Sequence, residues 1–470
     1  MTSPRPSAVR SSPDQLPRRS RSTDEAARRN EPTTFDTPRD RLYVPLTVSL
    51  LYLGGTFALF LVVGQVTEVP NLFNLTAFVA LTLAALTIGY RARARRYLRA
   101  GQLDVPPVTH EETRSARRWV AVSAAYYALY GLALLLEYGA TGISDIVNSI
   151  TAPGGAYFAK FQVYEQQIST GDKNTAIQLL TLLSVISAPL VPLAVVYWRR
   201  LSRGVRTLAL LGTAVYASFF LFIGTLKGLG DLLIFAVSGF AVLAFGYWTP
   251  KSRERPRKRA VIGATILFTT VFVGYMAFNQ SQRLEVGGIA SRFEPNPVIA
   301  SLTGEEFARG VAVVAFYPTH GYLGLAYNLE SPFEWSGLRG SSRALDGYWV
   351  QYVGGDSAFE STYPARTEAR TGWPALMYWS TAYPWFASDL SFPGTILLMG
   401  IAGWFLCQVW VQAAFQRDRL ALLLFAQLML FLVYIPANNQ IGTSRNSLIT
   451  FICLVALYAW NRLTSLRQIS

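Results

Sequence analysis

The chain has 470 residues, of which 51% are apolar and only 15% are charged, and its mean hydropathy is +0.27. This composition excludes an ordinary soluble globular protein and indicates a polytopic membrane protein. The net charge of +14 does not indicate nucleic-acid binding, because many of the arginines form short clusters between apolar runs, where they report membrane topology.

The first 40 residues are rich in Pro, Arg, Ser and Thr and contain no apolar run. Such a segment cannot bury enough apolar surface to fold, so we expect a disordered basic tail over residues 1–40. We expect no cleavable signal peptide, because the first apolar run begins too far from Met1 and is too long.

Ten apolar runs then follow, each long enough to cross about 30 Å of hydrocarbon, which predicts an all-α integral membrane protein with about ten transmembrane helices. The predicted spans are residues 43–65, 70–90, 119–138, 176–198, 207–224, 232–249, 260–279, 392–415, 420–437 and 446–462. The resulting divisions are helices 1–7 over 41–279, a large extracytoplasmic loop over 280–391, helices 8–10 over 392–463, and a tail over 464–470.

Basic residues occur in alternate connections between the spans. These are the amino-terminal tail, 91–118, 199–206, 251–259, Arg417, Arg419, Arg462 and Arg467. Since positively charged segments stay in the cytoplasm, we predict a multi-pass protein of the cytoplasmic (inner) membrane with both termini inside and the 280–391 loop outside. The apolar stretch 311–327 is short and contains Pro318, so we interpret it as a re-entrant or interfacial element rather than a span.

Motifs for soluble chemistry are missing: the sequence has no P-loop, HExxH, GxSxG or dinucleotide fingerprint. Cys407 and Cys453 fall inside predicted spans, where we expect ordinary apolar packing. No cofactor and no metal site are expected. Span interiors are almost free of ionisable groups, with Glu137 at an outer end as the main case, which disfavours ion-coupled transport.

Polar chemistry instead concentrates in the predicted outer segments. The turn Gly224-Thr225-Leu226-Lys227-Gly228-Leu229-Gly230-Asp231 places three glycines beside a cation and a carboxylate. The glycines suit a close approach of the backbone to a ligand, and equally a structural hairpin turn.

One stretch, 317–403, carries a resemblance to a known family. It contains THGYLGLAYNLESPFEW, STYPARTEARTGW and YWSTAYPWFASDLSFPGT, the last leading into a membrane helix. With the ten-span layout, the late outer loop and the glycine-rich turn, these motifs resemble the bacterial O-antigen polymerases, also called oligosaccharide repeat-unit polymerases. The segment SGLRGSSRALDG at 336–347 is more basic than that pattern, so Arg339 and Arg343 are not carried over from it.

The resemblance implies a metal-independent glycosyltransferase that moves a growing chain from undecaprenyl diphosphate onto the next lipid-linked repeat unit at the outer membrane face. It implies polyprenyl-diphosphate-linked oligosaccharide and membrane lipids as partners, with a flippase and a chain-length regulator as candidates and no nucleic acid. Two alternatives stay open. An O-antigen-ligase-like enzyme hands a finished chain to a different acceptor, and a transporter moves polysaccharide or lipid-linked sugar.

Breaking a sugar–diphosphate bond requires cations for the departing lipid diphosphate, and arginine binds phosphate oxygens well. Arg366 is the first candidate, followed by Arg370, Arg445 and Lys227. For each of them, a solvated or headgroup-facing charge is the alternative.

The attacking hydroxyl requires a general base, for which the leading candidates are Asp389 and Glu368, followed by Asp231 and His320. A lone histidine is more often a structural hydrogen-bonding residue. Trp373 and Tyr363 belong to a dense set of aromatic residues whose faces suit sugar rings, although an interfacial aromatic belt accounts for such residues too.

Overall fold

The computed structural model describes residues 38–63, 66–101, 109–170, 174–246, 258–286, 300–302 and 304–467. Regular secondary structure in these ranges is entirely helical, which confirms the all-α class. The α-helices are α1 (Pro38–Leu42), α2 (Val44–Val63), α3 (Leu72–Ala100), α4 (His110–Glu137), α5 (Ile143–Thr151), α6 (Pro153–Thr170), α7 (Thr175–Leu182), α8 (Leu190–Tyr197), α9 (Arg203–Phe222), α10 (Lys227–Phe245), α11 (Lys258–Val286), α12 (Glu305–Leu329), α13 (Arg343–Tyr352), α14 (Tyr363–Thr371), α15 (Tyr383–Ala414), α16 (Arg419–Tyr434), α17 (Gln440–Thr443) and α18 (Arg445–Arg467).

Seven of these described helices are long and apolar enough to cross a membrane, namely α2, α3, α4, α9, α10, α15 and α18. The segments Thr175–Leu182 and Ser184–Arg200 pass the same test as a pair bent by 60°, and make an eighth span if the pair crosses as one. α16 is apolar but has only 16 residues. By the length and composition of its helices, the chain is a membrane protein.

A helix overlaps each of the ten predicted span positions, although two of these segments are not simple rods. The predicted span 176–198 is the bent pair. α15 begins before the predicted span 392–415, but its backbone leaves the helical region at Ser391 (φ 63°, ψ 167°). Pro393 lies two residues after this break. Its ring disfavours a continuous helix through the preceding turn, which accounts for the break. The unbroken helical part of α15 therefore begins next to residue 392, where the predicted span starts.

The predicted loop 280–391 contains α12, α13, α14 and the start of α15, while residues 287–299 and 303 lie outside the described residues. The apolar stretch 311–327 belongs to α12, one helix with Pro318 inside it. Tyr322 of α12 is buried against α2, where its hydroxyl lies 2.9 Å from Oγ1 of Thr56. The predicted disordered tail lies outside the described residues up to residue 37, and α18 extends helical structure to Arg467, into the predicted carboxyl-terminal tail.

Side-chain caps define several helix starts. The α4 start has a capping box, in which Thr109 accepts from the Glu112 amide and Glu112 accepts from the Thr109 amide, both at 3.1 Å. Asp418 accepts hydrogen bonds from two amides in the first turn of α16, and Thr362 accepts one from the Ala365 amide in the first turn of α14. These residues satisfy amides that have no partner within the helix.

Glycines bring α3 and α15 into backbone contact. A Cβ at Gly89 would lie 1.8 Å from the carbonyl oxygen of Gly400, and one at Gly403 would lie 2.1 Å from that of Leu86. α4 and α9 approach in the same way, since a Cβ at Gly212 would lie 2.3 Å from the carbonyl oxygen of Ala124. Small residues allow this contact, which strengthens van der Waals packing where lipid removes the hydrophobic driving force between helices.

α16 packs inside the bundle, in contact with α2, α8, α10, α15 and α18. Most of its side chains are buried, which explains why the whole segment is apolar rather than amphipathic. The chain leaves its carboxyl end through residues 435–439 into α17 and α18. This end of the bundle, called the cleft end below, carries the candidate site.

Candidate functional site

A cleft of about 620 Å³ opens at the cleft end of the bundle. Three cations line it, Arg339, Arg343 and Arg445, together with the carboxylates Asp346 and Glu360. The aromatic residues Phe359 and Trp385 complete one side. We call this space the arginine cleft.

One wall of the cleft is the loop 336–342, which is hydrogen-bonded to Asp389. Oδ1 of Asp389 accepts hydrogen bonds from the Ser336 hydroxyl at 2.6 Å and the Gly340 amide at 3.2 Å, and Oδ2 accepts from the Ser341 amide at 2.7 Å. The Asp389 residue is only 8% exposed. Its carboxylate is therefore occupied in folding the loop, which supports an anchoring role more than that of a general base.

The same loop also rests on the turn before α18. Nδ2 of Asn439 donates to the Ser341 carbonyl at 2.6 Å, and the Ser342 hydroxyl donates to the Gly442 carbonyl at 2.8 Å. A Cβ at Gly442 would lie 2.7 Å from the Ser341 carbonyl oxygen. Two segments far apart in sequence thus fix the wall that carries Arg339.

Arg339 itself is held inside the cleft by an ion pair with Asp346 at 3.3 Å. Asp346 also accepts hydrogen bonds from the Ser357 hydroxyl and, at 3.0 Å, from the Ala358 amide. Arg339 donates to the Asp356 carbonyl at 3.1 Å. These bonds join the loop 336–342, α13 and the segment 356–358 into one unit.

Arg445 is the first residue of α18, and it also lines the cleft. Nη2 of Arg445 donates to Oε1 of Gln351 at 3.1 Å, and its guanidinium lies 4.7 Å from the Tyr348 ring centroid. Burial raises the pKa of Tyr348, and the nearby Arg445 opposes that rise. The tyrosine face thereby offers a cation–π contact to an arginine that still lines the cleft.

Lys227 and Asp231 lie close to Arg445, because Lys227 contacts Ser444, the residue before Arg445. The Lys227 ammonium lies 3.4 Å from the Ser444 hydroxyl and 3.6 Å from Oδ2 of Asp231. Oδ1 of Asp231 accepts from the Tyr434 hydroxyl at 2.9 Å. The sequence predicted this pair in a glycine-rich turn, and the structure places it in the first turns of α10, directly connected to the cleft-end segment.

Arg366 lies behind the cleft wall and not among its lining residues. Its Nε donates to the Ser361 carbonyl at 3.2 Å, and Nη1 pairs with Glu334 at 3.0 Å. Its guanidinium lies 4.9 Å from the ring of Tyr363, which is itself buried. Burial raises the pKa of Tyr363, and Arg366 counteracts that effect. Nη2 of Arg366 is buried without a hydrogen-bond partner among the described residues.

The remaining predicted residues lie further from the cleft. Glu368 accepts from the Ala375 amide at 3.2 Å, Arg370 donates to the Tyr327 carbonyl, and Trp373 donates to the Trp379 carbonyl at 3.2 Å. These contacts connect α14 and the segment after it to α12. None of the three residues lines the arginine cleft.

His320 is enclosed between aromatic rings of α12 and the segment before α15. Its ring centroid lies 4.3 Å from that of Phe316 and 4.8 Å from that of Trp379. Nδ1 lies 2.8 Å from the Phe316 carbonyl oxygen, to which a ring protonated at Nδ1 donates. His320 is 5% exposed, and these contacts support the structural interpretation.

The structure brings Arg445, Lys227, Asp231 and Asp389 to one region, with Arg366 and Tyr363 just behind it. Sequence reasoning missed Arg339, Arg343 and Glu360 as cleft residues. The signal for the two arginines was present, since the segment SGLRGSSRALDG departed from the family pattern toward basic residues. Nothing local in the sequence distinguished Glu360.

Groups of three or more His, Cys, Asp or Glu side chains that could hold a metal ion do not occur in the described part of the chain. Cys407 is buried and Cys453 is half-buried, and neither forms a disulfide. The fold and the site together define an all-helical membrane protein with an arginine-lined cleft at one end of its bundle. No family model, curated protein or solved structure matches the chain.

Proposed function

We propose that the chain is a membrane glycan polymerase, which transfers a growing oligosaccharide from polyprenyl diphosphate to a lipid-linked repeat unit. The observation that carries this proposal is the arginine cleft, where Arg339, Arg343 and Arg445 line one space of about 620 Å³. Guanidinium groups stay charged at any relevant pH and bind phosphate oxygens bidentately. A diphosphate that gains negative charge as the sugar leaves is the ligand that such a cleft suits.

The cleft also offers groups for a sugar. Phe359 and Trp385 line the side where aromatic faces can stack on the apolar faces of sugar rings, and Gln351 offers an amide for hydroxyl groups. The family resemblance of the 317–403 stretch supports the same substrate class.

The proposed topology has ten spans, both termini in the cytoplasm and the arginine cleft on the outer face of the inner membrane. Charge distribution supports this orientation. The arginine-rich segment 199–206 lies at the start of α9, while the cleft end lies beyond its carboxyl end, next to the start of α10. Since basic connections stay in the cytoplasm, the opposite end faces outward.

Two alternative functions, a ligase and a transporter, can be distinguished from a polymerase by experiment. A ligase needs the same cations and base but a different acceptor. A transporter is disfavoured because Lys227 and Asp231 lie in the first turns of α10 and not at mid-span, where transporters place their coupling charges.

The test uses purified protein in liposomes, supplied with the lipid-linked oligosaccharide fraction from the membranes of its own host cell. A polymerase converts this fraction into a ladder of products, and Arg445→Ala should abolish the ladder. Arg203→Ala, an exposed arginine at the start of α9, is the matched control and should leave the ladder unchanged. Transfer only to a second type of acceptor would identify a ligase. No transfer with a verified donor would refute the enzyme.

A further inference from the structure

The carboxylates around the arginine cleft differ in how far their oxygens are already used. Asp346 pairs with Arg339 and accepts from Ser357 and Ala358. Asp389 accepts three hydrogen bonds from the loop 336–342. Both therefore hold the walls of the cleft and have little capacity to take up a proton from a substrate.

Glu360 is different. It lines the same cleft, its side chain is exposed there, and within the described residues its carboxylate accepts no hydrogen bond. No ion pair within 4.0 Å joins it to an arginine in that part of the chain. This carboxylate and the three guanidinium groups therefore line one cleft of about 620 Å³ without an ion pair between them, and a substrate can enter that cleft.

The backbone around Glu360 is nevertheless fixed. Glu360 lies in the single helical turn Phe359–Ser361, and Thr362 donates from its hydroxyl to the Phe359 carbonyl at 2.6 Å. The Ala358 amide donates to Asp346 on one side, and Nε of Arg366 donates to the Ser361 carbonyl on the other. A carboxylate with unused oxygens thus lies on a hydrogen-bonded turn in the same cleft as three cations, which is the arrangement that a positioned base requires.

We infer that Glu360 is the general base of the transfer reaction, an inference that rests on the proposed polymerase function. The carboxylate takes the proton of the acceptor hydroxyl as that oxygen forms a bond to the anomeric carbon of the donor sugar. The bond between the anomeric carbon and the phosphate oxygen breaks, and its electron pair leaves with the lipid diphosphate. Arg339, Arg343 and Arg445 face the charge of this leaving group. Glu360 then releases its proton to water.

This assignment also gives Arg366 a positioning role. Arg366 does not line the cleft. Its Nε donates to the carbonyl of Ser361, the residue after Glu360, and its Nη1 pairs with Glu334. The arginine that the sequence ranks first as a phosphate ligand therefore acts on the turn that carries the base, rather than on the phosphate.

Three variants test the assignment in the liposome assay. Glu360→Gln keeps the shape of the side chain and removes its ability to accept a proton, Glu360→Asp keeps the charge on a shorter arm, and Glu330→Gln is the matched control. Glu330 is an exposed glutamate at the end of α12 that does not line the cleft. A general base contributes about 100-fold or more to the rate, so Glu360→Gln should lose at least that much. Glu360→Asp should lose less, and Glu330→Gln should match the wild type.

Binding of undecaprenyl diphosphate, measured by quenching of intrinsic tryptophan fluorescence, should be unchanged in Glu360→Gln, and so should the unfolding temperature. A wild-type rate in Glu360→Gln overturns the assignment and leaves the polymerase intact. Loss of binding together with rate assigns Glu360 to holding substrate and also overturns it. A lowered unfolding temperature contradicts the premise that its carboxylate is free. No product from the wild type with a verified donor refutes the proposed function itself.

Discussion

Replacing Asp389 with asparagine distinguishes two roles that the sequence alone leaves equivalent. If Asp389 anchors the loop 336–342, the substitution loosens that loop. If it acts as a base without holding the loop, the substitution removes activity and leaves the loop as it was. The side chain keeps its shape, but one of its two acceptor oxygens becomes an NH₂ donor.

The expected size follows from the three hydrogen bonds. Whichever way the amide turns, a donor meets either the Ser341 amide or the pair formed by the Ser336 hydroxyl and the Gly340 amide. A hydrogen bond to a charged group contributes about 1.5–3 kcal/mol, and the remaining bonds weaken with the loss of charge. We therefore expect the free energy of local opening to fall by about 2–4 kcal/mol. Asp389→Ala, which removes every acceptor, should lower it further.

Hydrogen exchange of the peptide that contains Gly340 and Ser341 measures this opening directly. A loss of 2–4 kcal/mol corresponds to about 30- to 1,000-fold faster exchange at these amides, because 1.4 kcal/mol is a factor of ten. Glu330→Gln, at an exposed position at the end of α12, serves as the control and should leave exchange unchanged. Unaltered exchange in Asp389→Asn, combined with loss of glycan transfer, would refute the anchoring role and restore Asp389 as a base.

Three further predictions concern other parts of the site. Gly442→Ala should weaken glycan transfer and speed exchange in the loop 336–342, because its Cβ would lie 2.7 Å from the Ser341 carbonyl oxygen; Gly204→Ala in α9 is the control, since a Cβ there would have no atom within 4 Å. Arg445→Gln should weaken binding of undecaprenyl diphosphate about 10- to 100-fold in equilibrium titration, by removal of one charge-assisted contact, and unchanged binding would exclude Arg445 from the phosphate site. Burial, with a smaller effect of Arg283, lowers the pKa of Lys160 from 10.5 to about 8. The folded protein therefore holds this proton less tightly than the unfolded chain, so stability should rise as pH increases from about 8 to 10.5, and Lys160→Met should remove that rise.

The sequence by itself determined the membrane class of the protein and the positions of ten apolar helical segments. An apolar run long enough to cross a bilayer is a property of contiguous residues, so it can be located without knowing which helices pack together. Helices overlap all ten predicted positions. The predicted start of a span at residue 392 falls next to the backbone break at Ser391 in α15. The helices α13 and α14 within the predicted loop 280–391 were not predicted, because both are short and polar.

Only the tertiary structure decided which charges share a site. Arg339, Glu360 and Arg445 are separated by up to about a hundred residues, and the cleft that unites them exists because Asp389 and Asn439 hold one loop from two sides. Sequence ranked Arg366 first by its motif, whereas its contacts place it behind the wall, on the carbonyl next to Glu360. The sequence reveals that a side chain can donate, accept or carry charge. Whether that capacity is already used by a neighbour depends on contacts between distant segments, which no local pattern encodes.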